Sequence, residues 1–103
     1  MPFVRYSVMT PKTGQAERLR ELIDQLLEFH RERDGFVSGY RLEPDEHDVH
    51  SFVGRFTVWQ SEAHANATAM QQHDQTLQSE ILLAAEADTH EERAFLAEAF
   101  DLS

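Results

Sequence analysis

The segment RFTVWQSEAHA, residues 55–65, joins a predicted strand to a predicted helix. Its first residues are rich in aromatic and β-branched types, which is typical of a β-strand. Ser61 can cap the helix that follows, and Glu62 then lies near the positive end of the helix dipole. Trp59, the single tryptophan of the chain, stands at this junction. Two interpretations of Trp59 are open: it fills a core, or it forms the wall of a small-molecule cavity.

Strand patterns also occur elsewhere in the chain, so that the first three predicted strands are residues 3–9, 36–43 and 51–59. Between the first two strands, apolar residues recur at three- and four-residue steps from Leu19 to His30, which predicts an amphipathic helix. Thr10 or Thr13 can cap the start of this helix, and Gly35 supplies a stop signal after its end.

The C-terminal part of the chain predicts a second helix and a last strand. The helix runs from Ser61 to about Ala87, with a break or kink near residues 71–74. Propensity alone favours another helix at residues 92–102. A three-stranded sheet would leave an open edge, however, so we predict a fourth strand over this range. The order β-α-β-β-α-β then predicts an α+β fold, the ferredoxin-like arrangement with a four-stranded antiparallel sheet.

The pattern within the strands predicts a second packed surface. In FVRYSVM (3–9), FVSGYRL (36–42) and SFVGRFTVW (51–59), apolar residues occupy both odd and even positions. Strands with one solvated face alternate more clearly between apolar and polar residues. We therefore expect both faces of the sheet to be buried, the second one against another copy of the chain in a homodimer.

Composition restricts the partners. The length of 103 residues fits one domain over residues 1–103. A net charge of −10 disfavours nucleic acid and anionic membranes. No apolar run approaches the roughly 20 residues of a membrane span. Zero cysteines and the lack of a signal-peptide pattern predict a cytoplasmic protein. The expected partner is a small molecule or a second protein chain.

Two motifs resemble a known family. DGFVSGYRL (34–42) and FTVWQSEAHA (56–65), with the element order, look like the antibiotic biosynthesis monooxygenase (ABM) family, over about residues 3–100. The resemblance implies a dimeric α-β barrel with a cavity between sheet and helices in each protomer. Members of that family oxidise aromatic polyketides with molecular oxygen and no cofactor, degrade haem, or act on small signalling metabolites.

The function implied by the resemblance is a cofactor-independent monooxygenase for a small hydrophobic or aromatic molecule, with no cofactor and no metal. The alternative is a non-catalytic dimer of the same fold that binds a small ligand or has a structural role. Haem degradation is not favoured. Ser7 and Thr68 stand where that branch of the family has Asn and Trp, and only His73 could supply its histidine.

Two histidines are candidate catalytic bases, His73 and His30. A histidine titrates near neutral pH and can accept a proton from a phenolic substrate. His73 follows an apolar helical stretch, and its alternative interpretation is a partly exposed residue at a helix break. His30 lies on the apolar stripe of the first helix, where it either forms a hydrogen bond inside the core or points into the cavity.

The substrate-binding candidates are one tryptophan, one arginine and two tyrosines: Trp59, Arg55, Tyr6 and Tyr40. Arg55 could stabilise an anionic substrate, because its guanidinium stays charged and donates several hydrogen bonds. Arg5 and Arg41 lie on other predicted strands and could share that role. The alternative for the arginines is ion pairing with the many carboxylates, and for the tyrosines a place in the core or the dimer interface.

The loop DEHDVH, residues 45–50, holds three acidic side chains and two histidines. Metal sites use such ligands. The spacing matches no known metal site, however, and the loop belongs to a predicted hairpin connection. We therefore expect these side chains to be solvated.

Overall fold

A computed structural model describes residues 1–100, which form four strands and three helices. The elements in chain order are β1 (Phe3–Met9), α1 (Ala16–Arg31), β2 (Phe36–Leu42), β3 (Val53–Trp59), α2 (Glu62–Ala69), α3 (Gln72–Leu83) and β4 (Glu91–Leu96). The strands form one antiparallel sheet in the order β2-β3-β1-β4. The predicted ferredoxin-like fold is therefore confirmed.

The predicted cap of α1 is wrong. Gln15 occupies the N-cap position and makes no side-chain capping hydrogen bond. The Thr10 hydroxyl donates instead to the carbonyl of His50, with 2.9 Å between the oxygens. Thr13 lies before Gly14, whose φ of +79° turns the chain ahead of the helix. The turn therefore places both threonines outside the first helical turn.

The second helical region contains the predicted break. α2 and α3 are separated by Met70 and Gln71, which bend the chain between two helices. Ser61 caps α2 as predicted, since its hydroxyl accepts a hydrogen bond from the His64 backbone N–H at 3.3 Å. The break lets α2 pack on β3 while α3 packs on α1.

The last segment forms a strand, as predicted against its helix propensity. β4 pairs with β1 over six residues, from Phe3 opposite Leu96 to Val8 opposite Glu91. The strand is shorter than the predicted range of 92–102. Residues 101 and 102 of that range lie outside the described part of the chain.

The helices cover one face of the sheet, which we call the inner face. Its main core is a cluster of buried apolar residues: Met9, Leu19, Leu22, Ile23, Leu26, Val53, Leu77, Ile81, Ala84 and Ala85. A smaller cluster of Phe3, Trp59 and Ala65, with Phe36 packed against it, lies at the opposite end of β1 and β3. Polar side chains are buried beside this smaller cluster.

The other face of the sheet, which we call the outer face, is not covered by any helix of the described chain. Strand alternation places a row of apolar and aromatic side chains there: Val4, Tyr6, Val8, Tyr40, Leu42, Phe56, Val58 and Phe95. Tyr40 remains 56% exposed. The rings of Tyr6 and Phe95 are stacked, with centroids 6.3 Å apart.

Candidate functional site

A small cavity lies between the inner face and the helices, beside the smaller core cluster. We call it the inner cavity, and it is lined by Arg5, His30, Arg55, Thr57, Trp59, Ala65, Ala69, Asp74 and Gln78. These residues come from β1, α1, β3, α2 and α3. Its volume is about 10 Å³, which is room for about one water molecule. Charged and aromatic groups therefore meet in a very small buried space.

The side chains contributed by β3 follow from the period of two along a strand. Arg55, Thr57 and Trp59 alternate with residues of the outer face and therefore point toward the helices. The Trp59 indole N–H donates to the Thr57 hydroxyl, with 3.1 Å between nitrogen and oxygen. The Trp59 ring is 2% exposed and packs edge-on against Phe36 and His30, each at a centroid distance of 5.3 Å. Trp59 thus fills the smaller core cluster and also forms a wall of the inner cavity.

A buried histidine and aspartate form the polar centre of the cavity. His30 is on the last turn of α1 and is 5% exposed, and Asp74 is on the first turn of α3 and is 1% exposed. His30 Nε2 lies 2.6 Å from Asp74 Oδ2, which is a short hydrogen bond. Gln78 donates to the other carboxylate oxygen of Asp74 at 3.2 Å. His30 Nδ1 is buried and has no hydrogen-bond partner within residues 1–100.

Arg55 is the second group with a free buried polar atom. It is 3% exposed, and its Nη1 lacks a hydrogen-bond partner in the described chain. Burial lowers the pKa of Arg55, and the negative charges of Glu92 and Asp74 oppose that shift. A buried cation without full hydrogen bonding is costly, so its presence suggests an anionic or polar ligand.

The three strand arginines differ in how they are paired. Arg5 Nε lies 3.8 Å from a carboxylate oxygen of Glu92, and Arg41 Nη1 lies 2.6 Å from Asp24 Oδ2. Arg41 and Arg55 are opposite each other on β2 and β3. Arg41 is nevertheless at the surface, where carboxylates are available, and Arg55 is buried below α1 and α3.

Three of the predicted site residues do not line the inner cavity. His73 is exposed, and its ring packs on Phe29 with centroids 4.7 Å apart. Successive helix residues point about 100° apart, so Asp74 faces inward and its neighbour His73 does not. Tyr6 and Tyr40 belong to the outer face, because the alternation of side chains along the paired strands points both of them away from the side of the sheet that lines the cavity. Of the six candidates, the cavity therefore brings together His30, Trp59 and Arg55.

Sequence reasoning missed Asp74 and Gln78. A signal was present, because Asp74, Leu77 and Ile81 recur at helical spacing and are the buried residues of α3. An aspartate on the apolar stripe of a helix is unusual and indicates a buried partner. The partner itself, His30, is 44 residues away in sequence, so no local pattern could identify it.

A larger and more open cavity of about 410 Å³ lies on the other side of α2. We call it the α2 cleft, and it is lined by Glu32, Arg33, Asp34, Ala63, His64, Ala67, Thr68 and Gln71. His64 Nδ1 lies 2.7 Å from the Ser61 hydroxyl, and its Nε2 lies 3.6 Å from Asp34. Among the described elements, α2 alone supplies residues to the walls of both cavities, so it separates one from the other.

The acidic loop at residues 45–50 satisfies its own backbone. Asp45 and Asp48 accept hydrogen bonds from backbone N–H groups two residues further on, at 2.6 and 2.8 Å. Within the described residues, no group of three or more His, Cys, Asp or Glu side chains is arranged to hold a metal ion. Likewise, no helix in that part of the chain combines the length and apolar character needed to cross a membrane.

Comparison with known proteins finds similar folds among solved structures. No family model and no curated protein matches the chain by sequence. Among solved structures, Rv0793 from Mycobacterium tuberculosis is similar with a TM-score of 0.82 and 16% identity, covering 100% of both chains. SnoaB, a cofactor-independent oxygenase from Streptomyces nogalater, is similar with a TM-score of 0.79 and 17% identity, covering 99% of this chain and 98% of that one.

A third similar structure is a Nitrosomonas europaea protein provisionally described as an antibiotic biosynthesis monooxygenase. Its TM-score is 0.78 at 15% identity, and the match covers 91% of this chain and 88% of that one. At such identities, likeness establishes the fold and leaves the activity open. The resemblance to the ABM family is thus confirmed for the fold: the chain has the ferredoxin-like architecture of these oxygenase structures.

Proposed function

We propose that this protein is a cofactor-independent monooxygenase that acts on a small, ionisable aromatic molecule. One observation carries the proposal: a base and a cation, each with an unpaired buried nitrogen, line the same cavity as an indole ring. These unpaired nitrogens of the described chain are His30 Nδ1 and Arg55 Nη1. Trp59 supplies the aromatic wall.

The chemistry assigned to these groups is proton removal followed by reaction with molecular oxygen. His30 takes a proton from an acidic C–H or O–H of the substrate, and Arg55 stabilises the resulting anion. The electron-rich anion reduces dioxygen itself and forms a C–O bond, giving a peroxide that takes up a proton. Loss of water from an anthrone-type hydroperoxide then leaves a carbonyl, so one dioxygen yields one quinone oxygen and one water.

An aromatic substrate needs more room than the inner cavity offers. The α2 helix presents small side chains toward the cavity, Ala65 and Ala69, and is tied to the sheet by a hydrogen bond from Arg5 to Asn66 at 3.2 Å. We propose that α2 moves away from the sheet to admit substrate from the α2 cleft. Backbone amides of α2 should then exchange hydrogen faster than those of α1, and equal protection of both helices would contradict this access route.

The proposal includes a homodimer formed through the outer face. A contiguous apolar face of this kind on a strand sheet is typical of an interaction site. A second copy of the same face would cover its aromatic and branched side chains and complete the two-layer barrel implied by the ABM resemblance. Because zero cysteines suit a reducing compartment, we also propose a cytoplasmic location.

Oxygen consumption with a panel of anthrones and quinols tests the activity. The decisive variant is His30→Ala, with the exposed His73→Ala as the matched control. We expect His30→Ala to lower turnover by about 10²–10⁴-fold, as for loss of a general base, and His73→Ala to stay within about twofold of wild type. Full turnover by a folded His30→Ala variant, or a large loss with His73→Ala alone, would overturn the assignment of the base.

A non-catalytic binding role is the second candidate, and the unpaired nitrogen of Arg55 favours it equally. A buried guanidinium can bind an anionic ligand without any reaction following. In that case the same panel should raise the melting temperature through ligand binding to the native state, with no oxygen consumed. Oxygen consumption above the uncatalysed rate would exclude this alternative.

A further inference from the structure

We infer that Asp74 is a positioning residue that fixes the tautomer of His30 and thereby makes Nδ1 the basic nitrogen. The inference rests on the proposed function for the role of His30 as a base. The tautomer itself, however, is a property of the buried pair and can be measured without any substrate.

The first step is the identity of the proton between the two residues. An ionised carboxylate only accepts hydrogen bonds, so the hydrogen between Asp74 Oδ2 and His30 Nε2, 2.6 Å apart, belongs to the nitrogen. A neutral imidazole carries one N–H, which leaves a lone pair on Nδ1. Nδ1 is buried and without a hydrogen-bond partner in the described part of the chain. The lone pair is therefore available to a ligand in the inner cavity.

The second step is what holds Asp74 in place. Its other oxygen, Oδ1, accepts a hydrogen bond from Gln78 one turn later on α3. Asp74 is also in the first turn of α3, where the helix dipole favours a negative charge. Because the side chain is almost completely buried, it has little freedom to rotate. Gln78 and the helix start thus support the carboxylate that orients His30.

The third step concerns the charges that face the pair. Arg55, from the opposite wall of the cavity, faces Asp74, whose negative charge opposes the lowering of the Arg55 pKa by burial. Arg5 contributes a second positive charge at the edge of the same cavity. When His30 takes a proton, its imidazolium is adjacent to the Asp74 carboxylate, which stabilises it. The arrangement thus supports proton transfer to Nδ1, because the imidazolium that forms is paired with a carboxylate.

Nitrogen NMR of histidine-labelled protein at pH 8 tests the inference, with the His30 signals assigned by their loss in His30→Gln. Wild type should show His30 protonated at Nε2 and unprotonated at Nδ1. In Asp74→Asn, Gln78 keeps donating to the side-chain oxygen, so the amide N–H₂ faces His30 Nε2. The His30 proton should then shift to Nδ1, and turnover should fall by about 10²–10⁴-fold in kcat with little change in KM.

The matched control is Glu46→Gln, which changes an exposed carboxylate 3.4 Å from the exposed His47 in the loop far from both cavities in sequence. That variant should leave the His30 tautomer and turnover unchanged, and Asp74→Glu should restore the wild-type tautomer in part. A wild-type His30 with its proton on Nδ1 overturns the inference, and this readout does not depend on whether Asp74→Asn folds. A tautomer that is unchanged in a folded Asp74→Asn variant overturns it as well. The expected tautomer without any oxygen consumption would instead leave the positioning role standing and refute the proposed oxygenase.

Discussion

The inner and outer faces of the sheet differ in which kind of side chain they bury and which they expose. The inner face buries polar residues such as Arg55 and Thr57 at one end, and the outer face exposes aromatic ones such as Tyr40. Burial of a charge opposes folding and exposure of a large apolar face opposes solubility. A ligand bound at the inner face would compensate the cost of the buried charge. A partner subunit on the outer face would compensate the cost of the exposed apolar surface.

The largest expected effect is on the outer face. Val58→Glu places a charge near the middle of that face, and a buried, unpaired carboxylate would oppose association by several kcal/mol. We expect the dimer dissociation constant to rise by on the order of 100-fold or more, with the mass in light scattering falling from about twice 11.9 kDa to 11.9 kDa.

The control for this prediction is Leu83→Glu, which adds the same charge at an exposed position of α3. It should leave the mass unchanged. If wild type is already a monomer at micromolar concentration, the outer face does not mediate self-association, and its exposed apolar residues need another explanation.

The next largest effect concerns the core role of Trp59. Trp59→Phe removes part of a buried ring and its hydrogen bond to Thr57, so we expect the free energy of unfolding to fall by about 1–3 kcal/mol. Urea unfolding measures the change, with Val49→Ala at an exposed loop position as the control. An unchanged midpoint would show that the indole contributes to ligand contact only.

A smaller effect of unusual sign is expected for Arg55→Met. The substitution replaces a buried cation with an apolar side chain of similar length, so stability should stay the same or rise by about 1 kcal/mol. Binding of any anionic ligand should be lost in the same variant. The control is Arg41→Met, which changes the surface arginine opposite Arg55 and removes its ion pair with Asp24. It should lower the free energy of unfolding by about 0.2–1 kcal/mol. A loss of 3 kcal/mol or more with Arg55→Met would mean that Arg55 is a structural ion-pair partner.

The smallest effect is a pH dependence at the sheet edge. The hydrogen bond from Arg20 lowers the pKa of Glu43 below its ordinary value of 4.5. Because the folded pKa is depressed, the stabilisation is present above pH 4.5 and is lost as pH falls through the lowered folded value. The stability difference between wild type and Glu43→Gln should therefore be constant near neutral pH and shrink in acid. A difference that grows on acidification would contradict the assigned direction.

Much of the fold could be predicted because it follows from patterns local in sequence. The helix with Leu19 to His30 on one face rests on periodicity. The strand predicted at residues 51–59 rests on its aromatic and β-branched residues. The cap at Thr10 or Thr13 was wrong, because Thr10 bonds to a carbonyl 40 residues away. That partner is set by the tertiary structure and leaves no local signal.

The candidate site was only partly predictable for the same reason. His30, Trp59 and Arg55 stand out by residue type, and the apolar stripe of the first helix also assigns His30 to the interior. Residue type favours His73 over its neighbour Asp74 as a base, but it does not indicate which of the two side chains faces the core. A strict count from Leu77 and Ile81 along α3 would have placed Asp74 inside.

The edge-on contact between Trp59 and His30 also gives the protein a built-in optical probe. With one tryptophan in the chain, ultraviolet emission selected for indole comes from a single buried position. That ring lies 5.3 Å from the His30 imidazole. At this distance a positive charge on the imidazole changes the electric field at the indole, and the emission with it. The charge state of the candidate base can therefore be read from the brightness of the native, unlabelled protein.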